Sequence, residues 1–192
     1  VETGFPIAIL AEKSCSELAA VLASIYAGSF YVCINPEQTE SRISSILNVL
    51  EPRLVIVEDK QTEKLSRAGY EGKTLSLDAL VEKAEAGNTP EAAMMKLIKI
   101  RREIRSTDPL YGIFTSGSTG TPKCVLVEQQ SVMDFIRHFV EIFEFTEDDV
   151  IGNQAPFDFD VSVKDIYSAW MTGASLLLIP REFFSTPPRL LD

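Results

Sequence analysis

Histidine is nearly missing: His138 is the only one in the 192 residues. It falls among Val132, Phe135, Ile136, Phe139, Val140 and Phe143, an apolar stripe at helical spacing. Asp134, Arg137, His138 and Glu141 form the opposite, polar face. A histidine on a solvated face gives a Ser-His-Asp hydrolase little support. Cysteine is scarce too. Cys15, Cys33 and Cys124 are odd in number and widely spaced, so neither a disulfide framework nor a zinc site follows, and reduced, packed thiols are expected. No apolar run approaches the length that spans a bilayer. The first residues lack the basic, apolar, small-residue order of a signal peptide, which makes a cytoplasmic location the expectation. Positive charge is in deficit, with 18 Lys and Arg against 28 Asp and Glu and a net charge of −10. That balance disfavours nonspecific binding to nucleic acid or to an anionic membrane. It also means that an anionic ligand must be met by local chemistry. The one basic cluster, Lys96, Lys99, Arg101, Arg102 and Arg105, lies with Met94, Leu97, Ile98 and Ile104 on a predicted helix and reads as a solvated face. There is no internal repeat and no low-complexity tract.

What is present is concentrated in Phe114-Thr115-Ser116-Gly117-Ser118-Thr119-Gly120-Thr121-Pro122-Lys123. Glycines let the backbone reach positive φ and approach a ligand closely. Successive N–H groups in such a turn form an anion-binding nest. The hydroxyls donate further hydrogen bonds and Lys123 supplies a point charge for phosphate. The spacing differs from a Walker A loop, which needs Gly-Lys-Ser/Thr after four intervening residues. Gly112 and Gly117 have that interval, but Ser118 stands where the lysine belongs. Both flanks, Leu110–Thr115 and Cys124–Glu128, read as strands, so the loop joins strand to strand. Two readings stay open on composition alone: a polyphosphate cradle, and a plain Gly/Ser turn. Pro122, which restricts the chain just before the cation, favours the first.

Along the chain, strands and helices alternate. Strands are predicted at Pro6–Ala11, Phe30–Ile34, Arg53–Val57, Thr74–Leu77, around the loop, at Asp149–Gln154 and at Ser175–Ile179. Ser14-Cys15-Ser16-Glu17 has capping-box spacing and opens a helix through Tyr26, closed by Gly28. Thr39 caps a helix that puts Ile43, Ile46, Leu47 and Leu50 on one face, and Pro52 stops it. Residues 59–73 are mixed and polar. Further helices are expected at Asp78–Ala86, in the basic segment, at Ser131–Phe143 and at Val163–Met171, with Gly87-Asn88-Thr89-Pro90 and Gly173 as punctuation. A last helix starts at Arg189. Strands separated by amphipathic helices imply an α/β fold with a mostly parallel βαβ sheet flanked by helices. Ligands on such sheets sit beyond the carboxyl ends of strands, where the glycine-rich loop falls.

Three segments, in order, resemble one family. Ile25-Tyr26-Ala27-Gly28-Ser29-Phe30-Tyr31-Val32-Cys33-Ile34-Asn35-Pro36 is similar to the second core motif of adenylate-forming enzymes, roughly L-K-A-G-x-x-Y-V-P-I-D-P. Residues 114–123 resemble their third core motif, Y-T-S-G-S-T-G-x-P-K-G. Phe159-Asp160-Val161-Ser162-Val163 resembles the F-D-x-S-V of amino-acid-activating members, the adenylation domains of nonribosomal peptide synthetases and the D-alanine–carrier-protein ligases. The following Lys164-Asp165-Ile166-Tyr167 looks more like the latter branch. The resemblance implies a ligase that joins an amino acid to ATP, giving aminoacyl-adenylate and pyrophosphate. The acyl group then passes to the phosphopantetheine thiol of a carrier protein. It implies Mg²⁺ beside the ATP. It also implies that Thr115, Ser116, Gly117, Ser118, Thr119, Gly120 and Lys123 cradle the β- and γ-phosphates. Asp160 would receive the substrate ammonium, with Val161 and Lys164 lining the side-chain pocket. A buried ammonium needs a partner. The competing reading of Asp160 is a helix N-cap, for which Asp is a leading residue. Lys164 could pair with an acidic substrate side chain or extend to solvent, and the second is the expectation.

Two departures stand out: Cys33 occupies a position where proline is usual, and Cys124 replaces the glycine after Lys123, adding bulk near the loop's exit. The family's first core motif, its adenine- and ribose-binding segments and its C-terminal domain with the catalytic lysine have no counterpart here. The expectation is therefore a partial adenylation domain over 1–192, with a subdivision near 1–108 and 109–192, from the large N-terminal domain of such an enzyme. An acyl- or aryl-CoA ligase shares the loop but has no ammonium to pair, and Asp160 speaks against it. A noncatalytic nucleotide-binding module is the other alternative. The 192 residues alone are expected to show no measurable adenylation. Amino-acid-dependent pyrophosphate exchange by the purified chain would refute this.

Overall fold

The computed structural model of the chain describes residues 3–87, 90–116, 121–180 and 183. The punctuation at Asn88 and Thr89, the loop residues 117–120 and the expected helix start at Arg189 lie outside them. The chain divides into two compact units, Val1–Val132 and Met133–Asp192. No described helix is long and apolar enough to cross a membrane.

The first unit is built on strands β1 (Pro6–Leu10), β2 (Phe30–Ile34), β3 (Leu54–Val57), β4 (Thr74–Ser76), β5 (Pro109–Thr115) and β6 (Lys123–Glu128). They form one sheet in the order β4-β3-β1-β2-β5-β6. The first five are parallel, and β6 runs antiparallel to β5. The mostly parallel α/β architecture predicted from the strand–helix alternation is thus present. β1, β2 and β3 are continuous apolar runs because helices cover both of their faces. On one face Ala8, Leu10, Val32, Ile34, Val55 and Val57 meet Ile43, Ile46, Leu47 and Leu50 of helix α2 (Glu40–Leu50). Burying each of these large aliphatic side chains contributes about 1.5–3 kcal/mol. Helix α1 (Cys15–Tyr26) packs against β1 and β2.

The predicted caps form. Ser14 Oγ accepts from Glu17 N at 3.1 Å and Thr39 Oγ1 from Arg42 N at 3.2 Å. Gly28 follows the end of α1 with φ +73, and a methyl there would lie 2.6 Å from Ile100 Cγ2. Glycine therefore serves both the left-handed turn and the close seat of helix α5 (Glu91–Glu103). Ile100 is the buried residue of α5, whereas Met94 and Ile98 are exposed. The basic segment ends as a helix at Glu103, so Ile104 stands outside it in extended backbone.

The polar stretch 59–73 holds more order than its sequence suggests. A 3-10 turn (Asp59–Gln61) leads into helix α3 (Thr62–Arg67). Only Leu65 of α3 is buried, and Lys64 Nζ donates to the carbonyl of Pro36. One apolar residue in six gives no helical periodicity to read. Helix α4 (Leu77–Glu85) follows β4, capped by Ser76.

Helix α6 (Gln129–Phe143) crosses the division between the units. In the second unit, strands β7 (Val150–Asn153) and β8 (Ser175–Leu178) pair in parallel around helix α7 (Val161–Thr172), which ends on Gly173 at φ +81. Phe139, Phe143 and Phe145 form a ring cluster with centroids 4.6 to 6.0 Å apart. His138 is exposed, its Nδ1 2.7 Å from the carbonyl of Asp134.

Gly112 on β5 admits no side chain. A methyl there would lie 2.8 Å from Cys124 Sγ, 3.0 Å from Val32 Cγ2 and 3.2 Å from Leu126 Cδ2. Gly112→Ala is expected to destabilise the fold by about 1–3 kcal/mol through overpacking. Gly112→Ala/Cys124→Ala should recover part of that loss. Chemical denaturation of the pair of variants checks it.

Candidate active site

Two groups of predicted residues fall in different units, and each is described by itself. In the first, β5 and β6 pair residue by residue up to the mouth of the connection, where Thr115 is the register partner of Lys123. Partners across an antiparallel pair point to the same face, and alternate residues point to opposite faces. Gly112, Phe114, Cys124 and Leu126 therefore share one face. Phe114 and Cys124 pack there against the core cluster. Thr115 and Lys123 share the other. Thr115, Ser116 and Lys123 are exposed while Pro122 is buried, which anchors the chain next to the cation. Among the described residues Lys123 forms no ion pair. Gly117, Ser118, Thr119 and Gly120, the middle of the predicted cradle, lie outside the described residues.

The extra bulk of Cys124 is taken up by the sheet. Its sulfur occupies the space that Gly112 leaves and is turned to the core side, away from the face of Thr115 and Lys123. Burial pushes its thiol above the ordinary cysteine range.

The second group sits at the start of α7. Asp160 occupies the N-cap position with helical backbone, φ −59 and ψ −29, so the helical path begins two residues or more before the predicted Val163 start. Its side chain makes no capping hydrogen bond, and among the described residues no hydrogen bond or ion pair reaches its exposed carboxylate. The first turn is held instead by Ser162, which is buried and whose Oγ donates to the carbonyl of Phe159 at 2.6 Å. Val161 is exposed. Lys164 is not extended freely into solvent: its Nζ contacts Asp165 Oδ1 at 2.6 Å and lies 6.0 Å from the ring centroid of Phe139. Asp165 is buried, and its Oδ2 accepts from Nδ2 of Asn153 at 3.2 Å. Asn153, at the end of β7, is fully buried.

Asn153 and Asp165 were not among the predicted site residues. The signal for Asp165 was its place within Lys164-Asp165-Ile166-Tyr167, on the side of α7 that buries Val163, Ile166 and Ala169. A carboxylate at an inward-facing position needs a partner. No such pattern marks Asn153, because its role depends on which helix β7 meets.

A family model described as AMP-binding enzyme matches residues 1–192. The chain belongs to this family. It is 31% identical over 182 residues to tyrocidine synthase 1 of Brevibacillus parabrevis, covering 95% of this chain and 16% of that protein. It is 30% identical over 185 residues to the D-alanine--D-alanyl carrier protein ligase of Staphylococcus aureus strain Newman, covering 96% of this chain and 35% of the ligase. The fold is also that of a solved four-domain nonribosomal peptide synthetase, holo-AB3403, bound to AMP and glycine. That likeness has a TM-score of 0.79 at 20% identity, over 100% of this chain and 13% of the other. The chain thus spans a minor part of the proteins it resembles.

With its pKa raised by burial, Cys124 carries less thiolate at any given pH than an unperturbed cysteine. Alkylation of Cys124 by iodoacetamide, followed by peptide mass spectrometry from pH 7 to 10, is expected to lag that of a free thiol and to rise only at the alkaline end. Rapid labelling at neutral pH would contradict the inward placement.

Proposed function

We propose that these residues form part of an ATP-dependent amino-acid-activating ligase. The enzyme makes aminoacyl-AMP and pyrophosphate, then loads the acyl group onto the phosphopantetheine thiol of a carrier protein. The observation that carries the reading is the β5–β6 register, which makes Thr115 and Lys123 partners on one exposed face at the carboxyl end of β5. Thr115 and Ser116 donate hydrogen bonds to the β- and γ-phosphates. Gly117, Ser118, Thr119 and Gly120 complete the cradle, and Lys123 offsets the charge of the departing pyrophosphate. An oxygen of the substrate carboxylate attacks the α-phosphorus in line, and the bond to the pyrophosphate oxygen breaks. Holding two anions together for that step is mainly a positioning task. Mg²⁺ keeps several waters and reaches a protein largely through nucleotide phosphates, so the hydroxyl-rich loop suits it without an all-protein cage.

Asp160 takes the substrate ammonium. Support comes from its carboxylate, which caps no backbone N–H and holds no cation among the described residues. An unpaired carboxylate in an acyl pocket binds an amino acid and discriminates against fatty or aryl acids, which lack the amine. Val161 and Lys164, on the same turn, line the adjoining pocket wall.

In the full-length enzyme, Asp160→Asn is expected to raise the amino-acid KM by on the order of 100-fold or more, as loss of a desolvated charge pair does. ATP-pyrophosphate exchange as a function of amino-acid concentration measures it. An unchanged KM would remove Asp160 from the role.

A further inference from the structure

Asp160 and Lys164 are four residues apart, and the backbone at Asp160 is already helical. An acid four residues before a lysine on a helix is the favourable order for an intrahelical ion pair. Left to itself, Lys164 would close on Asp160 and occupy the carboxylate. It does not: the lysine turns to Asp165 at 2.6 Å, and Asp165 is aligned from behind by Asn153 Nδ2 at 3.2 Å. The Phe139 ring lies 6.0 Å from the same ammonium, within reach of a cation–π attraction. The side chain of Asp165 is 9% exposed and that of Lys164 37%. The Asp165 pair is therefore the more desolvated of the two choices and the less screened by solvent.

We infer that Asp165, held by Asn153, is a positioning residue that sequesters Lys164 and so keeps Asp160 available for the substrate ammonium. The inference rests on the Asp160 reading above and deepens it. It gives Lys164 a consequence for the substrate class as well. A lysine neutralised by its neighbour offers no free cation to a substrate side chain, so the pocket takes amino acids with uncharged side chains rather than aspartate or glutamate.

A double-variant cycle in the full-length enzyme tests this, with ATP-pyrophosphate exchange as the readout. Asp165→Asn frees Lys164 to pair with Asp160 and should raise the amino-acid KM roughly two- to three-fold with kcat little changed, as expected when an intrahelical ion pair of a few tenths of a kcal/mol competes for a binding carboxylate. Lys164→Met alone, itself a change in the pocket wall, sets the reference KM for the double variant. Asp165→Asn/Lys164→Met should show the same KM as Lys164→Met, because the competitor is gone, and Asp165→Glu should keep the KM of the unaltered enzyme. A merely structural role for Asp165 would not be rescued by removing a lysine. Should Asp165→Asn not accumulate as folded protein, Asn153→Ala carries the same test, with a smaller KM rise that Lys164→Met again abolishes. A KM increase that survives Lys164→Met, or no increase in either variant, overturns the inference. So does efficient exchange with aspartate or glutamate by the unaltered enzyme. Asp160→Asn separates the two levels. If it leaves KM unchanged, the ammonium-partner reading falls and this inference with it. If it raises KM while the cycle shows no rescue, only the sequestration of Lys164 fails.

Discussion

A single antiparallel pairing, β6 against β5 on an otherwise parallel sheet, sets which side chains meet at the mouth of the glycine-rich connection. Hydrogen bonding along the pair brings Thr115 and Lys123 opposite each other at the mouth of the connection. The connection between them therefore leaves and re-enters the sheet at paired positions. The pairing depends in turn on close packing beneath it. Gly112 leaves room for the Cys124 sulfur between the two strands, and Phe114 and Cys124 seat both against the core that β1, β2, β3 and α2 build. The two ends of the connection, Thr115 and Lys123, are thus carried on strands seated against the buried core.

At the start of α7 the deciding quantity is charge balance. Three ionisable groups lie within six residues, and their burial sorts them. Asp165 is buried and needs a cation. Lys164 is half-exposed and can reach it. Asp160 is exposed and is left without a partner among the described residues. The Asn153 amide completes the arrangement from β7. A buried carboxylate that lost its lysine would be strongly destabilised. The contact that satisfies Asp165 thus leaves Asp160 without a cation among the described residues.

Much of the fold was legible in the residues. The capping hydroxyls of Ser14 and Thr39, the apolar face of α2 and the continuous apolar strands all follow from local periodicity and backbone hydrogen bonding, and they occur where expected. Where reading failed, the cause was physical. α3 contributes only Leu65 to the core and leans on Lys64 reaching the Pro36 carbonyl, a contact from another part of the chain. The basic helix stops at Glu103 because the chain turns extended at Ile104, and its inward residue is Ile100. Asp160 was legible as a position before a helix but not as a carboxylate without a cap, because Ser162 already closes the turn by bonding to the Phe159 carbonyl.

Local patterning was enough to specify the alternation of strands and helices, the strand-to-strand character of the glycine-rich loop and the residue types gathered there. Each of these is set by neighbours a few positions apart. Tertiary packing alone chose the sulfur's direction at Cys124, through Gly112 and the distant Val32. It also chose the partner of Lys164, through burial of Asp165 against Asn153 twelve residues before it. Which of two carboxylates a lysine selects depends on how much water each retains. Solvent exclusion is a property of the assembled fold rather than of any short segment.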